Sequence, residues 1–217
     1  EGSDEPREIK LTRDTIVVKS VILKFKKTNN KKIALLKLSR FGERTKEEWN
    51  GAVLDILSSA ANGLILDMRN NPGGFLDGAV FIASEFIEEG DIVLQENQKG
   101  DRTPYKVIKE GKLLKLPMVV LINKGSASAS EIVAGALQDK KRAKLVGEKS
   151  FGKGTIQIAE DLPGGSGIHI TTAKWLTPNG RWVNATEGLD PDVKIEVPKN
   201  LDKDEDPQLE KALELLD

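Results

Sequence analysis

Two short segments, apolar except for the final Asp67 of the first, constrain the fold more than any other feature of the sequence. Residues 63–67 (GLILD) and 118–122 (MVVLI) have the length of strands, and each is followed by a loop of small or turn-forming residues and then by a helical pattern. Strands that are apolar throughout are typical of parallel sheets, whose two faces are both covered. The alternation of strands and helices therefore predicts an α/β layered fold.

The two ends of the sequence have a different pattern. Residues 21–38 read as a β-hairpin, and alternating segments with glycine-rich turns recur after residue 158. We therefore expect a small β-rich part, made of residues 14–42 and roughly 159–200, beside an α/β part made of residues 43–158.

Composition excludes several classes of protein. The 217 residues carry a net charge of −1 and contain no cysteine, which argues against a nucleic-acid partner and excludes disulfides and thiolate metal sites. No apolar run approaches the roughly 20 residues of a membrane-spanning helix. No cluster of His, Asp and Glu has the spacing of metal ligands. We expect neither a metal nor another cofactor.

Two capping-box patterns mark helix starts. Thr45 with Glu48 would open one amphipathic helix, and Ser128 with Glu131 would open the helix after residues 118–122. Ser128 can therefore be explained as an ordinary cap. A helix N-terminus also carries unpaired N–H groups that suit an oxyanion, so the motif alone leaves both interpretations open.

Lys153 favours the catalytic interpretation of Ser128. It lies between two glycines, which allow the backbone to pass close to another segment. A serine nucleophile needs a neighbouring base, and a lysine can be that base where its surroundings keep the amine neutral. Phe151 and Ile156 would supply such apolar surroundings. The stretch from residue 123 to residue 157 thus predicts a Ser/Lys hydrolase centre.

A second loop offers backbone donors. Residues 70–74 (NNPGG) follow one apolar strand and precede a helix. Because Asn, Pro and Gly are common in turns, the segment can also be explained as an ordinary turn. One N–H from this loop and one from Ala129 would form a two-donor oxyanion hole. Nothing in the spacing links the two loops, so both interpretations stay open.

Two further polar residues carry weaker signals. Gln157 would lie roughly 13 Å from Lys153 in a regular strand, so spacing alone favours an ordinary strand residue over a catalytic one. His169 is the single histidine and lies in an alternating strand pattern. Nothing in the sequence supports a Ser-His-Asp triad, and the G-x-S-x-G and S-x-x-K motifs are absent.

Three motifs, taken in order, resemble those of the carboxyl-terminal processing peptidases, also called tail-specific proteases (peptidase family S41). They are residues 66–74 (LDMRNNPGG), 125–131 (GSASASE) and 151–154 (FGKG). The resemblance extends over roughly residues 9–217. It implies a core similar to the Clp protease subunit and the crotonases, with a serine endopeptidase activity near polypeptide C-termini.

The resemblance also implies roles for individual residues. Ser128 would be the nucleophile and Lys153 its general base, with Gln157 orienting the lysine in some members. Asp139 matches an aspartate that supports the site in other members. The oxyanion hole would be formed by the backbone N–H groups of Gly74 and Ala129.

Members of this family normally carry a PDZ domain that binds substrate C-termini. Residues 7–13 (REIKLTR) resemble the last strand of such a domain, so residues 1–13 are expected to be its remnant and a linker. The rest of the PDZ domain would lie outside this sequence and act in cis. The resemblance further implies polypeptide substrates and a bacterial periplasmic or cell-envelope location, and it leaves homo-oligomerisation open.

Two other functions remain as alternatives. A crotonase-like enzyme would use the Gly-Gly loop as an oxyanion hole for an acyl-CoA thioester. A non-catalytic remnant of a protease would bind peptides without cleaving them.

Overall fold

The computed structural model describes residues 10–12, 18–184, 186–198, 200, 202 and 205–217. The strands are β1 (Val21–Thr28), β2 (Lys31–Leu38), β3 (Gly63–Asp67), β4 (Asp91–Glu96), β5 (Arg102–Lys106), β6 (Met118–Ile122), β7 (Lys144–Gly147), β8 (Thr155–Leu162), β9 (Ser166–Leu176) and β10 (Val193–Lys194). The helices are α1 (Thr45–Ser58), α2 (Leu76–Ala83), α3 (Ala129–Asp139) and α4 (Pro207–Glu214). The predicted PDZ remnant, residues 1–13, lies outside the described residues except for 10–12.

A mixed sheet forms the centre of the protein. Within the described residues it contains six strands in the order β1-β2-β3-β6-β7-β10. The β1–β2 pair is the predicted antiparallel hairpin, and all the other neighbours are parallel. The predicted α/β architecture is confirmed. The carboxyl ends of β3 and β6 lie side by side, so the loops that follow them meet at one edge of the sheet.

Helices cover both faces of this sheet, which explains the wholly apolar sequence of β3. Leu64 and Leu66 are fully buried in the core that α1, α2 and α3 form on one face. Ile65 points to the other face, where it belongs to a second apolar cluster with Ala212 and Leu213 of α4. Burial on both faces is the condition that favours continuous apolar strands.

A second, antiparallel sheet has the order β5-β4-β9-β8. Its strand β8 starts two residues after Lys153 and lies at the sheet edge. A register shift between Ile156 and Gln157 interrupts its pairing with β9. The β1–β2 hairpin belongs to the central sheet, whereas β9 pairs with β4 in the second sheet. The predicted division into residues 14–42 with 159–200 and residues 43–158 stays a prediction.

An ion-pair cluster fixes α4 to the carboxyl end of β3. Arg69 donates to Asp67 and Asp206 at 2.8 Å each and to Gln208 at 3.1 Å. Asp206 also caps α4 by accepting from the Leu209 N–H at 3.0 Å. Burial tends to raise the pKa of Asp206, but the hydrogen bonds from Arg69 and from the helix N-terminus hold that pKa below its ordinary value. The loop that begins at residue 70 therefore starts from a fixed position.

The predicted capping box of α1 is wrong. The Thr45 hydroxyl accepts from the Gly42 N–H at 2.9 Å, outside the helix. Glu48 reaches instead to the chain before β1, where it accepts from the Ser20 N–H at 2.7 Å. The local pattern predicted that Glu48 would cap the start of α1. Its carboxylate instead binds a backbone N–H from a distant segment of the chain.

None of the helices in the described part of the chain is long and apolar enough to cross a membrane.

Candidate active site

Ser128 occupies a strained turn between β6 and α3. Its φ is 56° and its ψ is −118°, a conformation that residues with a side chain rarely adopt. The predicted capping box with Glu131 is present. An ordinary N-cap has β-region dihedrals and needs no such strain. The backbone of Ser128 therefore favours a functional residue over a simple cap, since strain of this kind concentrates at active sites.

Hydrogen bonds link the serine loop to the loop of residues 70–74. The backbone oxygen of Asn71 accepts from the Ala127 N–H and from the Ser130 hydroxyl, each at 2.9 Å. The Ser126 hydroxyl donates to the Met68 carbonyl at 2.8 Å. These bonds supply the connection between the two loops that the sequence did not reveal.

The two proposed oxyanion donors border the same cavity as Ser128. Gly74 lies opposite Phe41 in an isolated parallel bridge. The neighbours of Gly74 make the hydrogen bonds of this bridge: the Gly73 carbonyl accepts from the Phe41 N–H, and the Phe75 N–H donates to the Phe41 carbonyl. Ala129 is the first residue of α3, where an N–H has no partner inside the helix. Among the described residues, no group accepts a hydrogen bond from the N–H of Gly74 or Ala129.

Gly73 lies in contact with the serine turn. A Cβ placed on it would be 2.7 Å from the Ser128 Cβ and 2.7 Å from the Ala127 carbonyl oxygen. Its φ of +97° is also one that side chains disfavour. Only glycine fits this position without displacing the serine.

On the prediction that Ser128 is the nucleophile of a peptidase, Gly73→Ala should lower peptide hydrolysis by about 100-fold, because a displacement near 1 Å at a reacting group costs about that much. The matched control is Gly100→Ala, which has a similarly positive φ of +86° but open space around the position. Both variants should lose some thermal stability, measured by melting, and only the first should lose activity. Equal activity in the two variants would show that the contact with Ser128 does not matter.

Glu131 joins the serine turn to the lysine loop. Its side chain is fully buried. Oε1 accepts from the Ser150 hydroxyl at 2.5 Å and the Gly152 N–H at 2.7 Å, while Oε2 accepts from the Ser128 N–H at 2.7 Å and the Lys153 N–H at 2.9 Å. The sequence marked Glu131 only as a capping residue, because the pattern of the box carries no information on partners about 20 residues away.

Close backbone packing explains the glycines around Lys153. A Cβ on Gly154 would lie 1.9 Å from the Val183 carbonyl oxygen, and Gly152 has a φ of +87°. The Trp175 indole N–H donates to the Lys153 carbonyl at 2.8 Å. The predicted close approach of the backbone is confirmed, and it fixes where the lysine side chain starts.

One cavity of about 270 Å³ is lined by all the predicted site residues except Asp139. Its polar lining includes Ser128, Lys153, Gln157, His169 and the backbones of Gly74 and Ala129, and its apolar lining includes Leu76, Ile132, Ile156 and Trp175. The predicted role of Phe151 is wrong, because that side chain is 61% exposed and does not border the cavity. The buried Trp175 and Ile132, which are distant in the sequence, supply apolar surroundings in its place.

Gln157 and His169 border the cavity from the second sheet. Gln157 is exposed, and its amide donates to the Thr171 hydroxyl at 3.3 Å. His169 pairs with Ala159 across the β8–β9 hairpin, in a strand as the pattern predicted, and it is exposed. The role of Gln157 in orienting the lysine stays a prediction.

Asp139 lies away from the cavity. It is the last residue of α3, and eleven residues of helix put it roughly 16 Å from Ser128. Its carboxylate accepts from the Asn179 N–H at 2.9 Å and pairs with Arg181 at 3.4 Å. A supporting role for Asp139 would therefore act through the loop after β9.

Comparison with known proteins agrees with this fold. The sequence profile of Peptidase family S41 matches residues 32–195, and the chain belongs to this family. It is 40% identical to the carboxy-terminal processing protease CtpA of Bacillus subtilis, over 88% of this chain and 40% of that protein. It is also 40% identical to a carboxyl-terminal-processing protease of Picosynechococcus, over 89% of this chain and 46% of that protein.

Solved structures give the same result. The photosystem II D1 C-terminal processing protease superposes with a TM-score of 0.77 and 33% identity, covering 94% of this chain and 54% of that one. A putative S41 protease from Bacteroides fragilis shares the fold, with a TM-score of 0.76 at 18% identity over 94% of this chain and 59% of that one. The resemblance to family S41 is confirmed. The chain spans less than half the length of the curated relatives that it matches.

Proposed function

We propose that the protein is a serine endopeptidase of the carboxyl-terminal processing type, with Ser128 as nucleophile and Lys153 as general base. One observation carries the proposal. The N–H groups of both residues donate to the same oxygen of Glu131, and both side chains border one cavity. The two backbone nitrogens therefore lie within about 6 Å of each other, close enough for the lysine side chain to reach the serine hydroxyl.

The chemistry follows from these positions. The amine of Lys153, acting as general base, would take the proton of the Ser128 hydroxyl as the oxygen attacks the peptide carbonyl. The N–H groups of Gly74 and Ala129, which point to no acceptor among the described residues, would stabilise the oxyanion. The protonated lysine would then give its proton to the leaving amine, and water would hydrolyse the acyl-enzyme.

The substrate would be an extended polypeptide. Strand β8 is an edge strand that borders the cavity with Thr155 and Gln157. Main-chain pairing with such an edge gives affinity without strict sequence preference. The names of the relatives support cleavage near a C-terminus. A PDZ domain acting in cis, a homo-oligomer and a bacterial extracytoplasmic location are compatible with family membership and belong to the proposal.

The lining of the cavity disfavours the crotonase-like alternative. Enzymes of that kind rely on acidic catalytic residues, and no carboxylate of the described residues borders this cavity.

Hydrolysis of an unfolded polypeptide tests the proposal. We expect the protein to cleave a permanently unfolded substrate, and mass spectrometry of the products should place the first cleavages near the C-terminus. Calorimetry with an acyl-CoA should show no binding. Acyl-CoA binding without peptide hydrolysis would favour the crotonase-like alternative, and peptide binding without cleavage would favour the non-catalytic one.

A further inference from the structure

We propose that Glu131 is a positioning residue, which holds the nucleophile turn and the lysine loop at the separation that catalysis needs. The inference rests on the proposed function of Ser128 and Lys153 and deepens it. Glu131 itself does not border the cavity, so its effect would act through these two residues.

Capping alone does not account for the contacts of Glu131. In a capping box the carboxylate accepts only one hydrogen bond, from the N–H of the capping residue, and here the Ser128 N–H donates it. The other three donors, Ser150, Gly152 and Lys153, lie 19 to 22 residues further along the chain. Most of the hydrogen-bonding capacity of this carboxylate is therefore directed at the lysine loop.

The four bonds use the full capacity of the group. A carboxylate offers about four acceptor positions on two oxygens, and two donors occupy each oxygen of Glu131. Hydrogen bonds to an ionised acceptor are shorter and stronger than neutral ones. Because Oε2 is shared by Ser128 and Lys153, any shift of one loop changes a bond that the other loop also uses.

A buried amide cannot reproduce this arrangement. In Glu131→Gln the NH₂ group would face N–H donors on whichever side it points, since each oxygen accepts from at least one backbone N–H. We expect kcat to fall about 100-fold with KM changed by less than about threefold, because misplacement by about 1 Å affects the transition state more than substrate binding.

The matched control is Glu85→Gln. Glu85 is also buried, at 1% exposure, and it accepts from the Lys112 N–H at 2.6 Å and the Trp49 indole N–H at 3.4 Å. It does not border the cavity. Both variants should lose thermal stability to a similar degree, while Glu85→Gln keeps kcat within about twofold of the wild type.

Two readouts separate the possible failures. Hydrogen exchange at the Gly152 and Lys153 amides should be faster in Glu131→Gln than in Glu85→Gln, and this measurement does not require activity. If the wild-type protein cleaves no substrate, the proposed function is wrong. Hydrogen exchange would still test whether Glu131 links the two loops. Equal kcat in the two variants, or equal exchange, would overturn the positioning role.

Ser150→Ala serves if Glu131→Gln does not fold. This variant removes one donor to Glu131 and also the acceptor of the Leu189 N–H, but it keeps the carboxylate. We expect an intermediate loss of kcat, about tenfold, with little change in KM. Wild-type kcat in Ser150→Ala would count against the inference.

Discussion

Replacing Ser128 by alanine should abolish peptide hydrolysis, with a loss of about 10,000-fold or more in kcat. The serine hydroxyl is the attacking group of the proposed reaction, and the remaining N–H donors of Gly74 and Ala129 cannot replace it. Initial rates with an unfolded polypeptide measure the effect. The melting temperature should stay close to that of the wild type, because the backbone conformation is unchanged.

Ser128→Gly separates chemistry from strain. Glycine adopts a φ of 56° without the strain that alanine or serine carries there, so Ser128→Gly should be about 1 kcal/mol more stable than Ser128→Ala. Both should be inactive. Residual hydrolysis at the wild-type rate in either variant would exclude Ser128 as the nucleophile.

Replacing Lys153 by methionine should have an effect of similar size, about 10,000-fold in kcat, since a nucleophile and its base act as a unit. Methionine keeps much of the volume of the side chain but cannot take a proton. For the same reason the double variant Ser128→Ala, Lys153→Met should be no less active than either single variant. Steady-state rates of the three proteins give the comparison.

Lys149→Met is the matched control for the lysine. Lys149 belongs to the same loop, but its side chain is 45% exposed and pairs with Asp190 at the surface, at 3.3 Å. It does not border the cavity. Its activity should match that of the wild type. If Lys149→Met lost as much activity as Lys153→Met, the loss would reflect the total positive charge of the loop, and Lys153 would not be a specific base.

Local sequence was sufficient for the features that depend on local physics. The apolar segments predicted the strands β3 and β6 and their place in a parallel sheet, because strands that are buried on both faces have continuous apolar sequences. The serine turn and the glycines around Lys153 were also visible, since both reflect backbone requirements at single positions. Ser128 and Lys153 both line one cavity.

The contacts that join distant segments were not predictable from pattern alone. Glu48 fits a capping box in sequence, yet it binds the chain before β1. Phe151 was expected to shield the lysine, whereas Ile132 and Trp175 line the cavity. Glu131 shows the limit most clearly, because three of its four bonds go to a loop that no local pattern connects with it.

Covalent labelling of Ser128 by a fluorophosphonate tests most directly whether the lysine activates the serine. Intact mass and peptide mapping of the wild type should show one adduct, on Ser128. Lys153→Met should remain unlabelled over the same time, while Lys149→Met should react at the wild-type rate. Equal labelling of Ser128 in Lys153→Met and in the wild type would mean that the hydroxyl does not depend on the amine, and the Ser/Lys centre would be wrong.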